Sequence, residues 1–242
     1  MLGRLIKKIT PLRRMYYRSL IAKGIGGQSD EGQILLQLAK ETDAPKTFIE
    51  FGFHPIQFNC AALMGSFKGL LIDANSQQIA DARAVLPSNI RIEERFLDLE
   101  NLDFIRKAFS KVGVLSIDID GNDYWFLEKL LDIEPSVISI EYNPSFLDRS
   151  ISVVYDPVFD RHRKHSTAWY HGASLTAMAK LCATKGYGLA AVSDGGVNAF
   201  FTKTGKLDPK TAWRPSELRA KWSGTTPQQQ WDAVKHLPFV EI

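Results

Sequence analysis

The chain of 242 residues has only two cysteines, Cys60 and Cys182, far apart and with no C-x-x-C partner. That excludes a disulfide scaffold and a cysteine zinc site, and it fits a reducing cytosol. No apolar run approaches the ~18–20 residues that would span a bilayer. The start, Met1-Leu2-Gly3-Arg4-Leu5-Ile6-Lys7-Lys8, lacks the uninterrupted apolar stretch of ~7–15 residues of a secretory signal. The expected location is therefore cytoplasmic. No internal repeat and no low-complexity segment is present. Acid is missing from one region altogether: residues 1–23 hold seven basic side chains (Arg4, Lys7, Lys8, Arg13, Arg14, Arg18, Lys23) and no Asp or Glu. The rest of the chain has 23 basic against 27 acidic residues, so the net charge of +3 hides a neutral-to-acidic body with a cationic N-terminal segment. With no basic stripe in that body, nucleic-acid binding is not expected.

What is present is an ordinary globular composition, 45% hydrophobic and 24% charged. Residues 1–27 read as a basic amphipathic segment. Its helix over 4–22 places Leu5, Ile6, Ile9, Leu12, Met15, Tyr16 and Leu20 near one face and the cations on the other. Pro11 is expected to interrupt it, and Gly24-Ile25-Gly26-Gly27 reads as a hinge. Residues 28–205 form the main domain. Apolar strands at Lys46–Phe51, Gly69–Asp73, Asn89–Arg95, Val112–Asp118 and Ser136–Tyr142 alternate with helical stretches, which predicts a parallel sheet covered on both faces. An irregular, polar insert over 143–171 follows. After a helix over Ser174–Lys185, two strands around Ser193-Asp194-Gly195-Gly196 predict an antiparallel hairpin. Residues 206–242 are a tail with helical pieces, expected to pack down through Trp213, Trp222 and Trp231.

This layout resembles that of class I S-adenosylmethionine (SAM) methyltransferases: α/β, Rossmann-like, with a mostly parallel seven-stranded sheet and a C-terminal antiparallel hairpin. Open sheets of this kind bind ligands beyond the carboxyl ends of their strands, and here every strand delivers an acidic group to that rim. Glu50-Phe51-Gly52 ends the first strand. Asp73 ends the second, 21 residues after Gly52, where a carboxylate can take both hydroxyls of a ribose. A glycine at 52 lets backbone approach a ligand. Asp98, after the third strand, is placed to receive an adenine amine, and Glu50 to hold the cationic amino-acid end of SAM. A cap on the following helix is the competing role for Asp73-Ala74-Asn75.

The stretch Asp118-Ile119-Asp120-Gly121-Asn122-Asp123-Tyr124-Trp125-Phe126-Leu127 resembles the Asp-x-Glu-Gly-x-Glu-x-x-x-Leu element of FkbM-type methyltransferases. Ile140-Glu141-Tyr142-Asn143-Pro144 and Gly69-Leu70-Leu71-Ile72-Asp73-Ala74-Asn75 are similar to two further elements of that family. The resemblance implies SAM-dependent O-methylation of a sugar, glycan or related small-molecule hydroxyl. One departure stands out. The family's first motif is glycine-rich, whereas this chain reads Glu50-Phe51-Gly52-Phe53-His54-Pro55-Ile56-Gln57-Phe58-Asn59. Phe53, Pro55 and Ile56 are expected to crowd the methionine part of SAM. Either His54 and Asn59 supply polar contacts there, or the domain has lost SAM use and serves as a binding or scaffold module. A nicotinamide enzyme is a poor fit, because no G-x-G-x-x-G follows the first strand.

Asp118, Asp120, Glu141 and Asn143 offer oxygen ligands from adjacent strand ends, a candidate Mg²⁺ set around Asp120, Glu141 and Asn143. The competing role is turn formation by Asp120 and Asn122, with Asp118 as a helix cap. For a general base the candidates are His165 and His171 in the insert, because imidazole titrates near neutrality, with Asp120 beside them. A zinc pair His162/His165 is disfavoured by its basic neighbours. Tyr155, Trp169 and Tyr170 are candidates to stack on an acceptor. The basic segment 1–23 suits peripheral contact with an anionic membrane, at the inner surface, or a lid over the acidic rim. The oligomeric state is left open by the sequence.

Overall fold

The computed structural model describes residues 9–242. Helix α1 (Thr10–Ala22) and helix α2 (Glu31–Glu41) precede the sheet. Strands β1 (Thr47–Phe51), β2 (Lys68–Asp73), β3 (Ile90–Glu94), β4 (Val114–Ile117) and β5 (Val137–Glu141) follow. Between them lie α3 (Ser76–Val85), α4 (Asp103–Arg106) and α5 (Asp123–Leu130). The expected helix after β1 is instead a turn followed by a short 3-10 helix, Asn59–Leu63.

The insert is less bare than its sequence suggests, with strand β6 (Ile151–Val153) and helix α6 (Arg161–Lys164). Helix α7 (Leu175–Ala183) leads to the hairpin β7 (Gly188–Val192) and β8 (Asn198–Thr202). The tail forms α8 (Pro209–Ala212), α9 (Glu217–Ser223), α10 (Pro227–Val234) and β9 (Phe239–Glu241).

The seven-stranded sheet has the order β3-β2-β1-β4-β5-β8-β7. The first five strands are parallel and the hairpin enters antiparallel, with β8 beside β5. This is the Rossmann-like class I methyltransferase arrangement. The order reverses between β1 and β4, which is where such sheets open a crevice. Side chains alternate across the sheet. Ile49, Phe51, Leu70, Ile72, Leu115 and Ile117 enter one core. Phe48, Leu71, Val114, Val137 and Phe200 enter the other. Burial on both faces explains why the strands read as continuous apolar runs.

A third, smaller core joins insert and tail. Phe146, Ile151, Val153, Tyr170 and Val234 are buried together, with Trp231 and Phe239 packed against them. Strand β6 pairs antiparallel with β9, so the chain's end closes over the insert. Trp213 packs on the main core and Trp231 on the small one, whereas Trp222 is 79% exposed.

Pro11 starts α1 rather than splitting it, since a proline in the first turn forfeits no helical bond. The cations of α1 face the body. Arg13 and Arg14 hold Asp81 of α3 at 2.6 and 2.9 Å, and Arg18 donates to the Ala84 carbonyl at 2.9 Å. The described part of the basic segment thus sits on α3, not over the acidic rim as a lid; Arg4, Leu5, Ile6, Lys7 and Lys8 lie outside the described residues. Among the described residues no helix is long and apolar enough to cross a membrane.

Candidate functional site

After β4 the chain turns through Asp118–Asp123 into α5. The turn is built by Asp123, not by Asp120 or Asn122. Its buried carboxylate accepts the N–H groups of Ile119 and Gly121, each at 2.9 Å. Burial raises that carboxyl to about 6 although both bonds oppose the shift. Asn122 instead fastens the insert, donating to the Asp156 carbonyl at 2.8 Å. Asp118 and Asp120 are left at the rim. Gly52, with φ +69°, packs so closely that a Cβ would stand 1.6 Å from the Asp118 carbonyl oxygen. The glycine is therefore required first by the β1–β4 approach, before any ligand is considered.

Two cavities open at this edge. The smaller, about 260 Å³, lies over β1, β2 and β4, and its lining includes Gly52, Asp73, Phe96, Leu97, Asp118 and Asp120. The larger, about 830 Å³, lies toward β5 and the tail, and its lining includes Asp118, Asp120, Glu141, Arg161, Trp169 and Arg219. Asp118 and Asp120 belong to both. Asp118 is held well above the ordinary carboxyl range by burial and by the nearby Asp120, Asp123 and Glu50. Asp120 pairs with Arg161.

On the small side the structure separates the two roles proposed for 73–75. Asn75 caps α3, its Oδ1 accepting from Gln77 and Gln78 at 3.0 and 3.1 Å. Asp73 keeps its place in the cavity wall, its Oδ1 accepting the N–H of Asn75 at 2.6 Å and its Oδ2 that of Phe53 at 3.4 Å. Asp98 turns away from the cavity and accepts the Glu100 N–H at 2.9 Å.

The loop after β1 is committed to the protein itself. Glu50 is 1% exposed, and its two oxygens accept the N–H groups of Asn59 and Cys60 at 2.8 Å each. Burial raises its carboxyl to about 7, with those bonds pulling the other way. Asn59 is buried and donates to Ser116 at 3.3 Å. His54 Nε2 lies 3.4 Å from the Tyr17 hydroxyl of α1. None of these three lines either cavity. Phe53 goes into the core, edge-on to Phe58, and does not crowd the cavity as its position in the sequence suggests. Gln57, from the same loop, reaches the larger cavity instead.

On the large side, Glu141 and His171 stand together. Their facing atoms Oε2 and Nδ1 are 3.7 Å apart, and both are buried without a hydrogen bond. Burial first, then Asp118, Asp120 and Asp123, raise Glu141 well above the ordinary range. Asn143 is spent elsewhere. Its Nδ2 donates to the carbonyls of Trp169 and His171, and its Oδ1 accepts from Ser145 and Arg219.

The candidate cation set Asp120, Glu141 and Asn143 therefore does not converge. The three groups that do are Asp120, Glu141 and His171, with ligand atoms within 4.8 Å of one another. Arg161 lies on Asp120, and Arg219 lies 3.0 Å behind His171. Two guanidiniums at that spot oppose a divalent cation.

His165 faces Thr167 at 2.8 Å and lines neither cavity; His162 does line the larger one. Of the proposed stacking residues only Trp169 reaches a cavity. Tyr170 is buried against Phe239, and Tyr155 packs on the main core.

Arg219 was not identified from the sequence. It comes from α9, is half-buried, and donates to Asn143 at 2.8 Å and Ser145 at 2.6 Å while facing His171. Nothing in a polar tail marks one arginine for the interior. Arg161 sits in the conspicuous Arg161-His162-Arg163-Lys164 run, which does signal an ion-pairing element.

No family model matches the chain, and no curated protein matches it. Solved structures with similar backbones include the N-terminal domain of EvdMO1 with SAH bound. It is 10% identical with a TM-score of 0.47, over 78% of this chain and 94% of that one. The methyltransferase domain of bacterial CtHen1-C is 18% identical with a TM-score of 0.47, over 72% of this chain and 97% of that one. A TehB-like SAM-dependent methyltransferase from Corynebacterium glutamicum is 15% identical with a TM-score of 0.40, over 81% and 98%. Likeness at these values adds nothing to the strand order already described.

Proposed function

We propose that the chain is a SAM-dependent O-methyltransferase for a small polar acceptor, a sugar hydroxyl being the chemical type, as the FkbM-like elements suggest. One observation carries this reading: two cavities at the carboxyl edge of the sheet meet at Asp118 and Asp120. That is what joining a nucleoside-bearing donor to a second substrate requires. SAM, when bound, supplies an electrophilic methyl group on a sulfonium.

In this reading Asp73 takes the ribose hydroxyls, and Phe96 and Leu97 flank the base. Asp118, Gln57 and Gln28 take the amino-acid end in place of Glu50, which is committed to loop amides. The acceptor enters the larger cavity beside Trp169. Glu141 would accept the hydroxyl proton as the acceptor oxygen takes the methyl group and the methyl–sulfur bond breaks to leave the neutral thioether, and its raised carboxyl makes its anion a stronger base. His171 stands beside Glu141. Holding the two reactants together supplies up to ~7–11 kcal/mol of the acceleration.

The test is calorimetry of full-length protein with SAM and S-adenosylhomocysteine. Binding to the wild type that is lost in Asp73→Ala supports the reading, and no binding to the wild type sinks it. The commitment of Glu50, His54 and Asn59 to protein partners favours one second reading, a domain that has lost SAM use and serves as a binding module. Absence of binding by both ligands would select it.

A further inference from the structure

A surface helix ordinarily buries its apolar stripe and offers its charges to water. Helix α1 departs from this. Its inner side mixes a buried ion pair with apolar groups: Arg13 is 8% exposed against Asp81, at 2%, Tyr17 packs beside His54, and Leu20 and Ile21 are half-buried. Arg14 and Arg18 add bonds to carbonyls of α3, those of Ala80 and Ala84. Its outer side carries Leu12, Met15 and Tyr16, 42%, 65% and 39% exposed, with Ile9 at 45% just ahead of them. The spacing is that of one helical face.

We propose that this outer face docks on an anionic phospholipid bilayer. Arginine-mediated docking on α3 fixes the orientation of the stripe, so the helix is presented ready-formed. In the sequence Arg4, Lys7 and Lys8 precede the stripe and Lys23 follows it, with no acid among residues 1–23. An apolar stripe flanked in sequence by cations alone suits an interface of acyl chains and anionic headgroups. A second copy is a poor occupant, because pairing two such faces would bring their cations together.

The mouth of the larger cavity has the same character. Leu218 and Trp222 of α9 line it and are 45% and 79% exposed. Gln28, which also lines it, directly follows the Gly24–Gly27 link from α1. Tryptophan favours the headgroup level of a bilayer. The inference does not depend on the methyltransferase reading.

The test is sedimentation of full-length protein with vesicles of phosphatidylcholine alone and of phosphatidylcholine mixed with phosphatidylglycerol. The protein is expected to pellet with the anionic vesicles, less so at high salt. The double variant Leu12→Glu and Met15→Glu is expected to bind at least about tenfold more weakly. Its circular dichroism and melting temperature should be unchanged, since both side chains face outward. Failure of the wild type to pellet, equal pelleting of the variant, or equal binding to neutral vesicles would overturn the proposal. So would a wild-type dimer in light scattering that the double variant dissolves, which would assign the stripe to a second copy.

Discussion

His171 Nδ1 lies 3.7 Å from Glu141 Oε2, too far for a direct hydrogen bond, with both atoms buried and aimed at each other. The other ring nitrogen settles the protonation. Nε2 stands 3.0 Å from Arg219, and a guanidinium only donates, so Nε2 accepts and the single ring proton sits on Nδ1. Burial, then the charges of Arg219, Arg161 and His162, push the imidazole well below its ordinary pKa. A neutral ring of depressed pKa, with Nε2 already engaged by Arg219, is poorly placed to accept a proton itself.

Glu141→Gln keeps the size of the side chain and removes the base. Turnover is expected to fall about 100- to 10,000-fold, with SAM affinity unchanged in calorimetry. In the wild type the acid limb of the rate profile should lie above the ordinary glutamate range, because burial and neighbouring carboxylates raise Glu141. A Glu141→Gln variant with normal turnover would remove Glu141 from the chemistry.

Glu50 gives a pH dependence with a definite sign. Its carboxyl is raised from 4.5 to about 7 in the fold. Between those values the native state holds a proton that the unfolded chain has released, so its stability contribution is lost as pH rises through that window. Relative to Glu50→Gln, which cannot titrate, the wild type is expected to lose about 3 kcal/mol between acid and neutral pH, at ~1.36 kcal/mol per unit. Urea denaturation of both proteins at several pH values measures this. A constant difference would mean that Glu50 does not titrate in the window.

Much of this was legible before folding. The apolar runs at Phe48–Phe51, Leu70–Ile72 and Val114–Ile117 are nearly free of charge because helices cover both sheet faces, so their alternation with helical stretches gave the architecture. The acidic strand ends gave the rim for the same reason: carboxylates so regularly placed have to lie where the sheet stops. What stayed hidden depends on which way a side chain turns. Glu50 and Asp73 look alike at strand ends, yet one is drawn inward by two loop amides and the other stays in a cavity wall. Asp120 and Asp123 sit in one motif, and only Asp123 can reach back to close the turn. Helix α1 has the expected amphipathic pattern, but Asp81 offers its arginines a buried partner and so turns them toward the body.

That divergence of strand-end acids can be tested on the small cavity. Asp73 lines it and Asp98 does not. Removing a carboxylate that takes ribose hydroxyls costs about 1.5–3 kcal/mol, so Asp73→Ala should weaken S-adenosylhomocysteine binding roughly 10- to 100-fold. Asp98→Ala loses only its own turn bond to Glu100 and should bind nearly as the wild type does. Equal losses in the two variants would place the adenosine elsewhere.

Arg219 ties the tail into the site, and its removal has two opposed effects. Burying a guanidinium is unfavourable, as its depression to about 10 by desolvation indicates, with Glu141 partly offsetting this. Its loss relieves that cost. Against it, Asn143 Oδ1 and Ser145 Oγ each lose a donor in a buried place. The second effect is expected to win, giving Arg219→Ala a destabilisation of about 1–3 kcal/mol in denaturant titration. Lysine should rescue little, because one ammonium cannot reproduce the planar fork that reaches Asn143, Ser145 and His171 together. A purely structural role would end there. The contact with His171 predicts more: without the adjacent positive charge, the imidazole should titrate at higher pH than in the wild type, read by NMR of the ring protons. An unchanged His171 titration in a folded Arg219→Ala protein would show that the guanidinium does not set the protonation of the ring behind Glu141.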